Sequence, residues 1–285
     1  GSYPKEHIFK RHLSALLCDI CYSLMILKIM PHITHQICDF SWFVFVENSA
    51  VKQAKKDVIG NRANNVVVTG VPMQDALLQS KDLYTNPWKD NRGRKKIIYA
   101  PHHSIKGTNG NGIEYSTFLD YAEYMLELAK KYSNDVFFAF KPHPTLYPKL
   151  IKIWGKEKTD SYYESWMTLE NSQVELGDYV SLFKHSDALI HDCGSFTAEY
   201  HFTQNPVMFL VSETNSYDDL NDFGKAAFDN SYKGFCKNDI EQFIINVINE
   251  NDLMKDSRKR FYNEYLVPPN GKTACDNIIN TILGV

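Results

Sequence analysis

Apolar residues fall in short unbroken runs separated by polar, turn-forming stretches, and the run lengths sort them into strands. Lys95 to Ala100 (KKIIYA), Val136 to Phe140 (VFFAF), 188–191 and Val207 to Val211 are blocks of four to six residues. Runs of that length suit buried strands rather than helices. Between them, Tyr115 to Tyr132 spaces Phe118, Tyr121, Ala122, Met125, Leu128 and Ala129 along one helical face, and Asp178 to Lys184 carries Tyr179, Leu182 and Phe183. The spacing predicts helices there. Strands alternating with helices predict an α/β fold, a Rossmann-type doubly wound parallel sheet with helices on both faces.

The amino-terminal pattern is thinner. Ser41 to Val46 reads as a strand, Ser49 to Ile59 as a helix with a basic face, and Val66 to Thr69 as a second strand. Doubly wound domains carry five or six strands, so residues 1–79 are expected to be part of an amino-terminal Rossmann-like domain. Gly1-Ser2 reads as a cloning remnant, and the native chain is expected to begin further upstream. Residues 80–94 are polar and turn-rich and read as a linker, residues 95–268 as the main domain, and residues 269–285 as a carboxyl-terminal helix. Residues 13–30 are apolar but interrupted by Asp19 and Lys28 and stopped by Pro31. Crossing a bilayer takes about 20 mostly apolar residues, so this run is expected to be a core helix, with a membrane-surface helix as the second reading. The stretch from Tyr147 to Glu175 holds Trp154, Tyr162, Tyr163 and Trp166, read as packing anchors in preference to a lid.

Composition narrows the class. A chain of 285 residues, 44% hydrophobic and 23% charged, is ordinary for a globular enzyme, and a net charge of −3 gives no support for a nucleic-acid partner. Six cysteines without framework spacing point to reduced thiols in a cytosolic compartment. The C-x-x-C of Cys18 and Cys21 lacks a second pair, which argues against zinc.

Candidate chemistry gathers at strand ends. In 185–199 (HSDALIHDCGSFTAE) a strand runs into Asp192, Gly194 and Ser195, and helix-compatible residues follow from Thr197. Backbone N–H groups at such a turn can hold a phosphate, although an ordinary N-cap has the same residues. The strand at 136–140 delivers Lys141 and His143, and Pro142 and Pro144 stiffen the loop around the imidazole. The strand at 95–100 runs into Pro101, His102, His103 and Ser104, then the glycine-bearing KGTNGNG. In open α/β sheets the carboxyl edge is where ligands bind.

PHHS, then KPHP, then HSDALIHDCGSFTAE followed by NPVMFLV resemble the carboxyl-terminal domain of the CDP-glycerol glycerophosphotransferases, the GT-B-like teichoic-acid polymerase family. The family's Arg/Lys-Pro-His-Pro is matched by Lys141, Pro142, His143 and Pro144. Its Asp-Tyr-Ser-Ser with a later acidic residue is matched by Asp192, Cys193, Gly194, Ser195 and Glu199, with Gly194 where a first serine is usual. TGVPMQD resembles the family's exit from its first domain, and the likeness runs from about Val66 to Phe235.

The resemblance implies a bacterial GT-B-like transferase that moves a polyol phosphate from a CDP-alcohol to a hydroxyl of a surface polysaccharide or lipid-linked polymer. It would act in the cytoplasm at the inner face of the membrane. Lys141, His143, Gly194 and Ser195 would hold the donor phosphates, Glu199 the ribose, and Asp192 would support the turn. His102 or His103 is the candidate general base, since imidazole titrates near working pH. No metal is required by this reading; Asp218, Asp219 and Asp222 offer oxygens for Mg²⁺, but a solvated turn explains them equally. The competing readings are a GT-B glycosyltransferase using a CMP- or UDP-sugar, and a noncatalytic nucleotide-binding module. A hydrolase is disfavoured, because neither Ser195 nor Cys193 lies in Gly-x-Ser-x-Gly.

Overall fold

The computed structural model describes residues 16–29, 31–106, 116–212 and 217–284. Gly1-Ser2, the start of the apolar run at 13–15, Tyr115, most of the glycine-bearing run and residues 213–216 lie outside the described residues. The chain forms two compact units: residues 1–75, 218–224 and 263–285 make the first, and residues 76–217 and 225–262 the second.

In the first unit, β1 (Cys18–Ile20), β2 (Phe43–Val46) and β3 (Val66–Val68) form a parallel sheet in that order. Helices cover Pro31–Phe40, Ser49–Ile59 and Ala274–Leu283. The helix at 49–59 starts as its sequence predicts, with the Asn48 side chain accepting the Val51 N–H. The apolar run before Pro31 is not a helix. After β1 it continues as irregular chain with Leu24 and Ile26 buried. Its backbone is engaged from outside. Glu47 accepts the Met25 N–H at 2.5 Å, the Asn221 amide donates to Met25 O and Leu27 O, and the Asn221 N–H donates to Ile26 O. A helix would need the same groups for itself. Gly224 completes this seat, since a Cβ there would come within 2.1 Å of Ile26 O. The helix from Pro31 has no counterpart in the sequence reading; a proline that ends one pattern also suits the first helical position, where its missing N–H costs nothing. Among the described residues no helix is long and apolar enough to cross a membrane.

The second unit contains a six-stranded sheet in which every neighbouring pair is parallel: β4 (Lys95–Ala100), β5 (Val136–Phe140), β6 (Ser172–Val174), β7 (Ala188–His191), β8 (Val207–Leu210) and β9 (Tyr232–Gly234). Their order across the sheet is β6-β5-β4-β7-β8-β9. The chain builds outward from β4 on one side, then returns to lay β7 against the other side of β4. This is the Rossmann order, and its switch point lies between β4 and β7.

Both faces of the sheet are covered. Every residue of β5 is buried, as expected for a central parallel strand. The stretch from 147 to 175 is no open connection: helices Leu146–Trp154 and Lys156–Thr168 and the strand β6 occupy it. Trp166 is wholly buried and stacks on Phe140 at 5.3 Å, while Tyr162 donates its hydroxyl proton to Ala122 O. The aromatics therefore anchor packing, as their composition suggests. Residues 80–94 also lie against this unit, through buried Trp88, whose indole N–H donates to Leu182 O, and through a buried Arg94–Asp90 ion pair at 2.9 Å.

Trp166→Ala removes the largest ring of this core and is expected to cost about 3–5 kcal/mol, with Trp166→Phe costing clearly less. Urea unfolding of the two variants against the parent chain measures the difference; equal midpoints for all three would mean that the ring carries no packing load.

Candidate functional site

Three strands end at the switch point and deliver the candidate residues together. Past β4 come Pro101, His102 and His103; past β5 come Lys141, Pro142 and His143; past β7 come Asp192 to Ser195. The ends are laced to one another: the Lys141 N–H donates to Tyr99 O at 2.8 Å and the His143 N–H to Pro101 O at 3.1 Å. Between them opens a cavity of about 450 Å³, lined by His102, Lys141, His143, Tyr179 and the turn from Cys193 to Phe196.

Asp192 is not a ligand-facing group. It is fully buried, and its carboxylate accepts from the His102 N–H at 2.5 Å, the Thr117 N–H at 2.6 Å and the Thr117 hydroxyl at 3.0 Å, with the Ser116 hydroxyl also at 3.0 Å. Burial raises its pKa to about 6 against the pull of those hydrogen bonds. The carboxylate thereby ties the loop after β4, the start of the helix Phe118–Lys131 and the end of β7 to one point. Its supporting role stands on these contacts.

The turn after Asp192 is shorter as a helix than its sequence suggests. Phe196–Glu199 makes one α turn and Tyr200–Thr203 one 3₁₀ turn, so the macrodipole has little length to build on. The local donors remain. Among the described residues no protein acceptor takes the N–H groups of Gly194, Ser195 and Phe196, and all three residues line the cavity. Cys193 is buried and its thiol donates to Ala100 O, with burial pushing its pKa well up.

Glu199 does not reach the cavity. It is 2% exposed, its pKa is raised by burial, and hydrogen bonds from the Tyr179 and Ser195 side chains partly offset that rise. It lies behind the turn against these two residues, and one of its carboxylate oxygens has no protein partner among the described residues. Lys141 is mostly buried; its ammonium donates to Gly177 O at 2.7 Å, and desolvation lowers its pKa.

His102, His103 and His143 converge, with ring centroids 4.2 to 5.2 Å apart. Each Nδ1 has a partner. Ser104 meets that of His102 through its hydroxyl (2.9 Å) and its N–H (3.3 Å), Thr145 that of His143 through its hydroxyl (2.9 Å) and its N–H (3.1 Å), and the Lys149 ammonium that of His103 (2.9 Å). Burial first, then the neighbouring rings and Lys149, lowers the pKa of His102 to about 3; the same causes with Lys141 lower that of His143 to about 4. Among the described residues these histidines are the one group of three metal-ligating side chains with candidate atoms within 4.8 Å of one another. Asp218, Asp219 and Asp222 form no such group.

Sequence reasoning placed Ser104 at this edge without giving it a task, and missed Thr145 and Lys149. Thr145 follows the second proline of KPHP at a spacing that suits a side-chain turn. Lys149 carries no local signal, because its meeting with His103 depends on where the helix Leu146–Trp154 docks.

A doubly wound sheet with basic, imidazole and N–H donors around a cavity at its switch point is the GT-B-like arrangement that suits an anionic, nucleotide-type ligand. The sequence model of the CDP-Glycerol:Poly(glycerophosphate) glycerophosphotransferase family matches residues 30–284. The chain belongs to that family. In fold it is similar to the wall teichoic acid polymerase TagF, in one variant at 15% identity and a TM-score of 0.64, covering 94% of this chain and 68% of that one. A TagF variant soaked with CDPG gives 13% identity and a TM-score of 0.66 over 96% of this chain and 69% of that one. A putative UDP-N-acetylglucosamine 2-epimerase from Listeria monocytogenes gives 16% and 0.60 over 95% and 68%. These likenesses establish the GT-B-like fold. No curated protein matches the sequence.

A histidine whose folded pKa lies below its unfolded value stabilises the fold above about 6.5, and that contribution is lost as pH falls toward the folded value. Between those limits the unfolded chain holds the extra proton, and His102 contributes a slope of about 1.4 kcal/mol per pH unit at most. His102→Gln removes that slope, so its urea midpoint is expected to fall less than the parent's between about pH 7 and pH 5. Parallel midpoints would show that His102 is protonated alike in both states.

Proposed function

We propose that the switch-point cavity receives the diphosphate of CDP-glycerol and that the enzyme transfers glycerol phosphate to a hydroxyl of a teichoic-acid-like polymer. The observation that carries this reading is the convergence of Lys141, His143 and the N–H groups of Gly194, Ser195 and Phe196 on one cavity. An acceptor oxygen attacks the phosphorus that bears glycerol, the bond from that phosphorus to the bridging oxygen breaks, and CMP leaves. In a loose phosphoryl-type transition state charge collects on the leaving phosphate, and donors placed there in advance lower the barrier. The acceptor's proton passes to solvent. Lys141 supplies positive charge and the turn supplies neutral donors, so the reading assigns no residue set to Mg²⁺. An acceptor of this class places the reaction at the inner face of the bacterial cytoplasmic membrane, with the protein in peripheral contact.

Thermal shift of the purified chain with CDP-glycerol, CDP-ribitol, CMP-sugars and UDP-sugars tests the donor, since a ligand that binds only the folded state stabilises it by mass action. CDP-glycerol is expected to give the largest shift. His143→Ala is expected to keep the fold and to lower phosphodiester formation by roughly 10²-fold. A preference for UDP-sugars with glycosidic product would overturn the reading.

A further inference from the structure

A neutral imidazole has one N–H and one lone pair, and whichever nitrogen accepts a hydrogen bond leaves the proton on the other. Backbone amides and ammonium groups only donate. The Nδ1 atoms of His102, His143 and His103 face donors of that kind: Ser104 N–H, Thr145 N–H and Lys149 Nζ. The Ser104 and Thr145 hydroxyls also lie 2.9 Å from the Nδ1 atoms of His102 and His143, and a hydroxyl beside a nitrogen that already accepts an N–H turns its own proton toward it. That arrangement favours the proton on Nε2 in all three rings.

We propose that His102, His103 and His143 form a cradle of three neutral Nε2–H donors for a phosphoryl group, and that Lys149 is the positioning residue that fixes the tautomer of His103. The identity of that group as the donor's diphosphate rests on the function proposed above. Two roles are displaced. A general base needs a lone pair on the ring nitrogen that faces the substrate, and the cradle has a proton there. A metal-binding histidine normally donates its other N–H to an acceptor in the protein, whereas here that other nitrogen accepts in all three rings. Zinc would also need its nitrogens about 2.0–2.1 Å from one centre, and it would sit beside two ammonium groups.

The surroundings keep the rings neutral. Lys149 and His191 oppose a charge on His102, and Lys149 and Lys141 oppose one on His143; Lys152 lies beside Lys149. Asp192, which accepts the His102 N–H, has its oxygens committed to loop N–H groups and hydroxyls rather than to a ring. Neutral donors suit the leaving phosphate of CMP, because they stabilise growing negative charge without first having to capture a proton.

Long-range proton–nitrogen NMR of the ¹⁵N-labelled chain reads the tautomers directly. All three rings are expected as neutral Nε2–H at about pH 7, and His102 and His143 still so near pH 5. Inorganic pyrophosphate is expected to move the Nε2–H signals without changing tautomer. In Lys149→Met, His103 alone is expected to lose its single tautomer and CDP-glycerol affinity to fall about tenfold, with Lys149→Arg restoring both. An Nδ1–H tautomer at His102 or His143, or stoichiometric Zn²⁺ binding that His143→Ala abolishes, overturns the cradle. If pyrophosphate shifts the rings but CDP-glycerol fails to bind, the cradle stands and the donor assignment fails.

Discussion

The site depends on one buried carboxylate. Asp192 sits at the end of β7, and the loop after β4 and the start of the next helix both donate to it. Burying an ionisable group is costly unless its oxygens are satisfied, and here the satisfied state is also the one that puts His102 in place. The switch point of the sheet brings these segments near one another; the carboxylate decides how they lie. Fold and site are thus coupled through a residue buried away from the cavity lining.

From that anchor the donors follow in tiers. The strand ends are cross-bonded, so Lys141 and His143 inherit their positions from β4 and β5. Around the rings, small polar groups and one lysine set the proton, and behind the turn Glu199 supports Ser195 and Tyr179. Membership of the glycerophosphotransferase family and the GT-B-like fold agree with this assembly, which concentrates hydrogen-bond donors around one cavity.

Much of this was legible in the sequence, because strand ends are local features. KKIIYA, VFFAF and the run at 188–191 are each too short and too apolar for anything but buried strands, and the residues past them had to share one edge. The failures have a common cause. The run before Pro31 looked helical until Glu47 and Asn221, far along the chain, claimed its backbone groups. The helix Lys156–Thr168 lies in a stretch of mixed polarity, and its Trp166 could be read either as an anchor or as a lid. Glu199 held a suggestive position, yet its direction was set by Tyr179 and Ser195 packing over it. Tautomers are further still from sequence, since Lys149 meets His103 only after a helix docks.

The brevity of the helix after Ser195 shapes the kind of recognition available here. In a long helix the aligned peptide dipoles add to the partial charge at the first turn, and an anion of any shape gains from it. One α turn followed by a 3₁₀ turn cannot project far, so the pull of this turn is confined to hydrogen-bond range. An anion must arrive with its oxygens already matched to the three N–H groups, and a poorly fitting one gains almost nothing. What the turn adds to the charge of Lys141 is then a preference of contour.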